Sequence, residues 1–216
     1  MEQQIERYRT PTRVLHWVHT TAFCILFLTG LFLFLPAPVS LLAVGSFTRV
    51  IHRVAAAIFI IAPAIYAPLN WKATVRGVKE AFTWGESDIG WLKAAPRYYF
   101  LGDESAMPPQ GYVNAGQRVW FLMDILFGGV FVISGILMWA FKTVLPPAAI
   151  EWSIFVHDVA FIATGTWLFV HIYLAAFHPL MGESWGSMIN GKVSARFARS
   201  HYGKWYEQLE KGSNRQ

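Results

Sequence analysis

The stretch Trp152–Pro179, WSIFVHDVAFIATGTWLFVHIYLAAFHP, decides the fold. It is long enough and apolar enough to cross a bilayer as a helix. It carries His157 and His171, fourteen residues apart. Fourteen residues are close to a whole number of helical turns, so both rings point to nearly the same face, roughly 21 Å apart along the axis. Ionisable residues in a membrane helix are costly and mark function. Two imidazoles on one face, one near each side of the bilayer, suit two haems stacked across the membrane. Each iron then needs a second axial ligand from another helix. His16 opens the first apolar segment and His52 the second, and these meet that need.

Composition agrees with a membrane protein. Of 216 residues, 55% are hydrophobic and only 14% charged, with 10 Trp and 17 Phe, which is too apolar for a soluble domain of this size. The net charge of +5 does not point to nucleic acid, because the basic residues sit in blocks between apolar runs. Cys24 is the single cysteine, which excludes an intrachain disulfide, a Cys-bound iron–sulfur cluster and a covalently attached haem. Its place inside an apolar run makes it a packing residue.

Four spans are expected, at about residues 14–35, 49–69, 116–141 and 152–178. Thr10 caps the first, Pro11 sits in its first turn, and Pro36 and Pro38 end it. Pro38–Ala43 resembles a weak processing region, but three more spans follow, so the first run is read as a helix and not a signal peptide. Pro63 and Pro68 fall within or at the end of the second span, which membrane helices tolerate. Residues 72–115 form a long polar connection with Trp84, Trp91, Tyr98, Tyr99 and Tyr112, suited to lying against headgroups. Val75–Phe82 has the pattern of a short amphipathic helix, and Leu101–Gly111 reads as loop. Gly128, Gly129 and Gly135 in the third span allow close approach by a helix or a flat cofactor. Residues 180–216 are a basic tail, too polar to cross.

The expected fold is an all-α, integral membrane four-helix bundle, one domain over residues 1–216, binding two b-type haems. Four spans put both termini on one side. Six Lys or Arg in the tail, three in the N-terminal arm and five in the long loop place that side in the cytoplasm.

Depth sets the pairing. His16 lies near the cytoplasmic face and His52 near the outer one, while His157 is outer and His171 inner. The pairs are His52 with His157 and His16 with His171, each joining two helices at one depth. His19, one turn from His16, is the alternative at the inner depth. No third ligand gathers with either pair, so zinc is a poor reading. With both axial positions filled, such haems pass electrons and do not bind substrate. Arg49 and Arg53 flank His52 and Arg13 precedes His16; these are candidate propionate partners, against ordinary snorkelling.

Gly111–Val119, GYVNAGQRV, leads into the third span on the inner side. Asn114 and Gln117 form a capping box, with Gly116 between them leaving room. Amide side chains and the free N–H groups of a starting helix also suit a quinone carbonyl.

Together these residues resemble the cytochrome b (gamma) subunit of respiratory, membrane-bound formate dehydrogenases over nearly the whole chain. The matching pieces are His16–Trp17, Arg49-x-x-His52, Asn114-Ala-Gly-Gln117, His157, His171, and the tail from Gly191-Lys-Val-Ser194 to Lys204-Trp-Tyr206. The resemblance implies two non-covalent, bis-His b haems with the pairing above. It implies reduction of menaquinone or ubiquinone near the inner haem, with Asn114, Gly116 and Gln117 lining the site and protons drawn from the cytoplasm. It also implies an iron–sulfur beta subunit with one membrane helix, a catalytic alpha subunit carrying molybdenum or tungsten bis-pterin, a trimer of heterotrimers, and the bacterial inner membrane. The histidines alone also fit the cytochrome b of a hydrogenase or of a thiosulfate or polysulfide reductase, or a stand-alone superoxide:quinone oxidoreductase. A non-redox scaffold would leave the matched histidines without purpose.

Overall fold

A computed structural model describes residues 2–35 and 45–213. After a short strand β1 (Gln4–Glu6) come the long helices α1 (Thr10–Phe34) and α2 (Gly45–Leu69). The amphipathic α3 (Trp71–Phe82) and α4 (Glu86–Leu101) follow. Then come α5 (Ala115–Ala140) and α6 (Pro147–Ile172), which runs on through a wide turn at Tyr173–Phe177. The chain closes with α7 (Gly182–Asn190), strand β2 (Lys192–Ser194), α8 (Ala195–His201) and α9 (Gly203–Ser213).

Among the described residues, four helices are long and apolar enough to cross a membrane: α1, α2, α5 and α6 with its continuation. Their side chains confirm the class. Ile65, Ile133, Phe155 and Phe169 are all exposed, a surface that would be a liability in water and suits lipid. α2 runs unbroken with Pro63 and Pro68 inside it. α6 starts five residues before the expected Trp152, because Pro147 fits the first helical turn, where its missing N–H costs nothing. Pro36, Pro38 and the Pro38–Ala43 stretch lie outside the described residues.

The chain divides into two compact units. The apolar unit, Val14–Trp71 and Met123–Phe169, holds most of the four long helices. Aromatic contacts knit it: Phe27 packs on Phe161 at 5.2 Å and Phe23 on Phe59 at 6.2 Å between ring centres.

The polar unit comprises Met1–Arg13, Lys72–Leu122 and Val170–Gln216. It is more ordered than a connection and a tail. Residues 72–115 contain α3 and α4, and the tail folds as three helices around β2. β1 and β2 pair antiparallel, Ile5 opposite Val193. Met181, Val193, Phe197, Tyr202, Trp205 and Tyr206 form the core. Gly191 makes the crossing possible. Its φ of 86° is open to glycine, and a Cβ there would lie 2.6 Å from the Tyr8 carbonyl oxygen. Its own carbonyl accepts the Arg7 and Tyr8 N–H groups at 2.7 and 3.0 Å. Arg7 is buried, with its guanidinium carbon 3.9 Å from the Tyr202 ring centre and 4.3 Å from that of Tyr112. A second buried cation, Arg118, pairs with Glu80 at 2.9 Å and Asp88 at 3.2 Å, tying α5 to α3 and α4.

Candidate cofactor sites

Within the apolar unit, α2 and α6 bring His52 and His157 together, with ring centres 6.4 Å apart and ring planes tilted by 53°. Thr29 on α1 lies 2.8 Å from His52 Nδ1, and Ser134 on α5 lies 2.8 Å from His157 Nδ1. The direction of these bonds can be deduced. The Thr29 hydroxyl donates its one hydrogen to the Ile25 carbonyl at 2.7 Å, and Ser134 donates to the Val130 carbonyl at 2.5 Å. Each oxygen must then accept from the imidazole, so each Nδ1 carries the proton. That leaves both Nε2 lone pairs bare and free to bind a metal.

An imidazole nitrogen binds a metal at about 2.0 Å and lies about 1.1 Å from its ring centre, so two imidazoles on opposite sides of one ion have centres about 6.2 Å apart. The observed 6.4 Å fits one ion between two axial ligands. Gly30 and Gly135 keep the surroundings open: a Cβ at Gly30 would touch His52 Cε1 at 3.7 Å, and one at Gly135 would touch His157 Cε1 at 3.9 Å. Among the described residues no three His, Cys, Asp or Glu side chains converge as a metal site. The donor set is thus a pair of neutral imidazoles, which suits a haem iron.

Of the inner histidines, His16 belongs to the apolar unit, edge-on to Trp17 at 5.0 Å. His19 is stacked on Phe59 at 4.0 Å, a contact that gives it a packing role on α2. His171 belongs to the polar unit, stacked on Trp120 of α5 at 4.3 Å. Arg49 is exposed at the start of α2, and Arg53 lies over the Trp139 ring at 5.5 Å. Arg13 is tied into the polar unit, donating to the Ile189 carbonyl and to Thr10 Oγ1.

Asn114 and Gln117 form the capping box in full. Asn114 Oδ1 accepts from the Gln117 N–H at 2.8 Å, and Gln117 Oε1 accepts from the Asn114 N–H at 3.1 Å. Gln117 Nε2 donates to the Tyr8 hydroxyl at 3.3 Å. The room beside Gly116 is taken by Trp91: a Cβ there would lie 2.9 Å from its indole. One turn on from Gln117 stands Trp120, the residue against His171, so the capped turn and the inner histidine share one unit.

Sequence reasoning missed Thr29, Ser134 and Trp120. A signal for the first two was present. Thr29-Gly30 precedes His52, and Ser134-Gly135 precedes His157, by the same 23 residues. The two helical hairpins thus carry one repeated pattern: hydroxyl, glycine, then histidine on the next helix.

Comparison with known proteins gives the class. The profile of the prokaryotic cytochrome b561 family matches residues 7–191, and the chain belongs to that family. Family membership agrees with a membrane-bound, electron-carrying cytochrome b. Within it, the chain is 29% identical over 213 residues to the nitrate-inducible formate dehydrogenase cytochrome b556(Fdn) subunit of Escherichia coli, covering 97% of this chain and 93% of that one. It is 27% identical over 212 residues to the formate dehydrogenase cytochrome b556 subunit of Haemophilus influenzae, covering 96% and 84%. With the cytochrome b556(fdo) subunit of Escherichia coli it shares 24% over 214 residues, covering 96% and 94%.

Proposed function

We propose that this chain is the membrane anchor and electron-transfer subunit of a respiratory formate dehydrogenase of the bacterial inner membrane, passing electrons to quinone. The observation that carries the reading is the pair His52 and His157, each held by a hydroxyl in the tautomer that leaves Nε2 bare. These two would hold the outer b haem, and His16 with His171 the inner one. Haem held by two imidazoles takes up and releases single electrons without binding a substrate. The protein's own part is to fix ring orientation through Thr29 and Ser134, and to surround the pair with apolar side chains that keep water out.

Quinone would be reduced at the start of α5, beside His171. Asn114 spends its side-chain oxygen on the helix cap, which leaves its amide N–H₂ as the group for a quinone carbonyl. Gly116 serves this site by admitting Trp91, which walls it, and Gln117 holds the turn. Arg49 and Arg53 supply positive charge at the outer end and Arg13 at the inner one, for haem propionates. The excess of Lys and Arg in the arm, middle segment and tail puts both termini in the cytoplasm, where protons for the quinol are taken up. Formate oxidation would belong to a molybdenum or tungsten bis-pterin alpha subunit, delivering electrons through an iron–sulfur beta subunit with one membrane helix, in a trimer of heterotrimers.

Purification of the intact complex tests this. Pyridine haemochrome should give two b haems per copy of this chain, with low-spin spectra as isolated. Metal analysis should find molybdenum or tungsten, and formate should reduce the haems. One haem per chain, or a complex whose haems formate leaves oxidised, would refute the reading.

A further inference from the structure

The N-terminal arm buries a cation, Arg7, which is 3% exposed. Four rings surround its guanidinium carbon. Those of Tyr202, Tyr112, Trp205 and Tyr8 have their centres 3.9, 4.3, 4.6 and 5.1 Å away. The groups that act on it electrostatically are the hydroxyls of Tyr8, Tyr202 and Tyr112, with no carboxylate among them. A buried charge without a counter-ion is costly, and the π faces offset part of that cost. The arm also clamps the chain just before the capped turn of α5. Arg7 donates to the Tyr112 carbonyl, and the Tyr112 hydroxyl donates back to the Arg7 carbonyl at 2.9 Å. Tyr112 stands two residues before Asn114.

The hydrogen bonds around Gln117 have a direction. The Asn114 N–H can only donate, so Gln117 Oε1 accepts from it, at 3.1 Å. That turns Nε2, with its two hydrogens, toward two phenols. It lies 3.3 Å from the Tyr8 hydroxyl, and the Tyr202 hydroxyl bonds the same side chain. Arg7 bonds both of these hydroxyls, and a guanidinium has only donors to offer. The amide and the guanidinium thus converge on the same two oxygens. By favouring the lone-pair side of each phenol, Arg7 keeps Nε2 of Gln117 on the tyrosines and Oε1 on the Asn114 N–H. An amide turned over would set its NH₂ against the Asn114 N–H, donor against donor, and open the capping box.

We propose that Arg7, Tyr8 and Tyr202 are positioning residues of the quinone site at Asn114; the inference rests on that site. They act through Gln117 and not on quinone itself. Arg7 sets the two phenols, the phenols hold the Gln117 amide, and Gln117 holds the Asn114 N–H. Asn114 then presents its side-chain NH₂ to a quinone carbonyl in one fixed direction. The bond from Arg7 to the Tyr112 carbonyl fixes the entry to the same turn. A donor held in place before the ligand arrives lowers the cost of binding. The network therefore acts on affinity for quinone and leaves electron transfer between the haems alone.

The test is steady-state reduction of a short-chain naphthoquinone by the intact complex with formate, over a range of quinone concentrations. Haem content and the rate of haem reduction by formate are followed in the same samples. The double variant Tyr8→Phe/Tyr202→Phe keeps both rings around Arg7 and removes both oxygens. It should raise KM for quinone about tenfold, with kcat and haem reduction unchanged. Tyr8→Phe alone should raise KM less, because the second phenol still holds the amide. Arg7→Lys should raise KM like the double variant, since one ammonium cannot serve two hydroxyls and the Tyr112 carbonyl. A merely structural role would lower haem content and kcat together and leave KM in place. That result, or a wild-type KM in the double variant, would overturn the inference. Asn114→Asp separates it from the quinone reading, because Asp caps the helix as well but has no amide donor. If Asn114→Asp raises KM and the double variant does not, the positioning role alone falls. If neither changes the quinone kinetics, the quinone site at Asn114 falls with it.

Discussion

Replacing Thr29 with Val keeps the side chain's shape and removes the oxygen that accepts from His52 Nδ1 at 2.8 Å. Ser134→Ala does the same to His157. In each variant an N–H group in an apolar setting loses its acceptor, at a cost of about 1–3 kcal/mol. Part of that cost depends on the charge of the iron. An acceptor on the far nitrogen makes an imidazole a more basic ligand, which favours the more positive, oxidised iron. Losing it should therefore raise the potential of the outer haem. If about 1 kcal/mol of the loss falls on the oxidised form alone, the shift is ~40 mV for a one-electron couple. Affinity for the haem should also fall by about tenfold or more. The assay is a redox titration of the purified complex on its haem absorbance, with haem content measured on the same samples. Each single variant should move one haem upward and leave the other in place. The double variant should move the same haem further or lose it. Two haems at wild-type potentials in the double variant would refute the assignment of these hydroxyls, and a shift confined to the inner haem would refute the pairing.

His157→Ala should remove mainly the outer haem, and His171→Ala mainly the inner one together with quinone reduction; haem content and turnover measured side by side check the order, and quinone reduction surviving in His171→Ala would place the site on the wrong side. Arg118→Met should destabilise the polar unit by about 3 kcal/mol or more, because it leaves the buried Asp88 carboxylate without its cation. Thermal unfolding in detergent reads this, and Arg118→Lys should rescue little, since one ammonium cannot serve Glu80, Asp88 and the two carbonyls that the guanidinium reaches. The polar unit should also lose stability in mild acid. His201 has its pKa lowered by burial, so between about pH 6.5 and that lower value the unfolded chain binds a proton that the folded one refuses. The sign follows: this contribution is complete above about pH 6.5 and is lost as pH falls. A melting-temperature profile from pH 8 to 5 should show the decline, and His201→Gln should flatten it.

Much of the fold was legible because the membrane makes strong demands on sequence. A helix that must hide its backbone from lipid announces itself by length and hydropathy, and α1, α2, α5 and α6 all did. The His157–His171 spacing needed only helical periodicity to be read. The polar unit was harder. α4 carries Pro96 in its interior and buries only Asp88, Trp91 and Tyr98, a sparse stripe that periodicity does not reveal. The tail folds because β1 reaches it across the chain, and no local window contains both strands. Asn114 and Gln117 were read correctly as a capping box, since that motif is local. A cavity of about 100 Å³ beside Asn114 was invisible, because its walls come from α4, the segment between α4 and α5, Met181 and α8.

The hydroxyls of Thr29 and Ser134 lie between these extremes. Each is a lone polar group in an apolar helix, and each makes the ordinary bond back to the carbonyl four residues earlier. Read singly, that bond is a full explanation and nothing more is expected. The repeat changes the reading. Two hairpins place hydroxyl, glycine and histidine at the same spacing, and both hydroxyls meet a ring nitrogen at 2.8 Å. The back-bond is then part of the device, because it consumes the only hydroxyl hydrogen and compels the oxygen to accept. The acceptor fixes the proton on Nδ1, and that in turn frees Nε2. The local bond that makes each residue look unremarkable is the same bond that leaves its histidine's Nε2 without a proton. Since both halves are built alike, the two axial ligands should be equally basic, and Thr29→Val and Ser134→Ala should shift the outer haem by similar amounts.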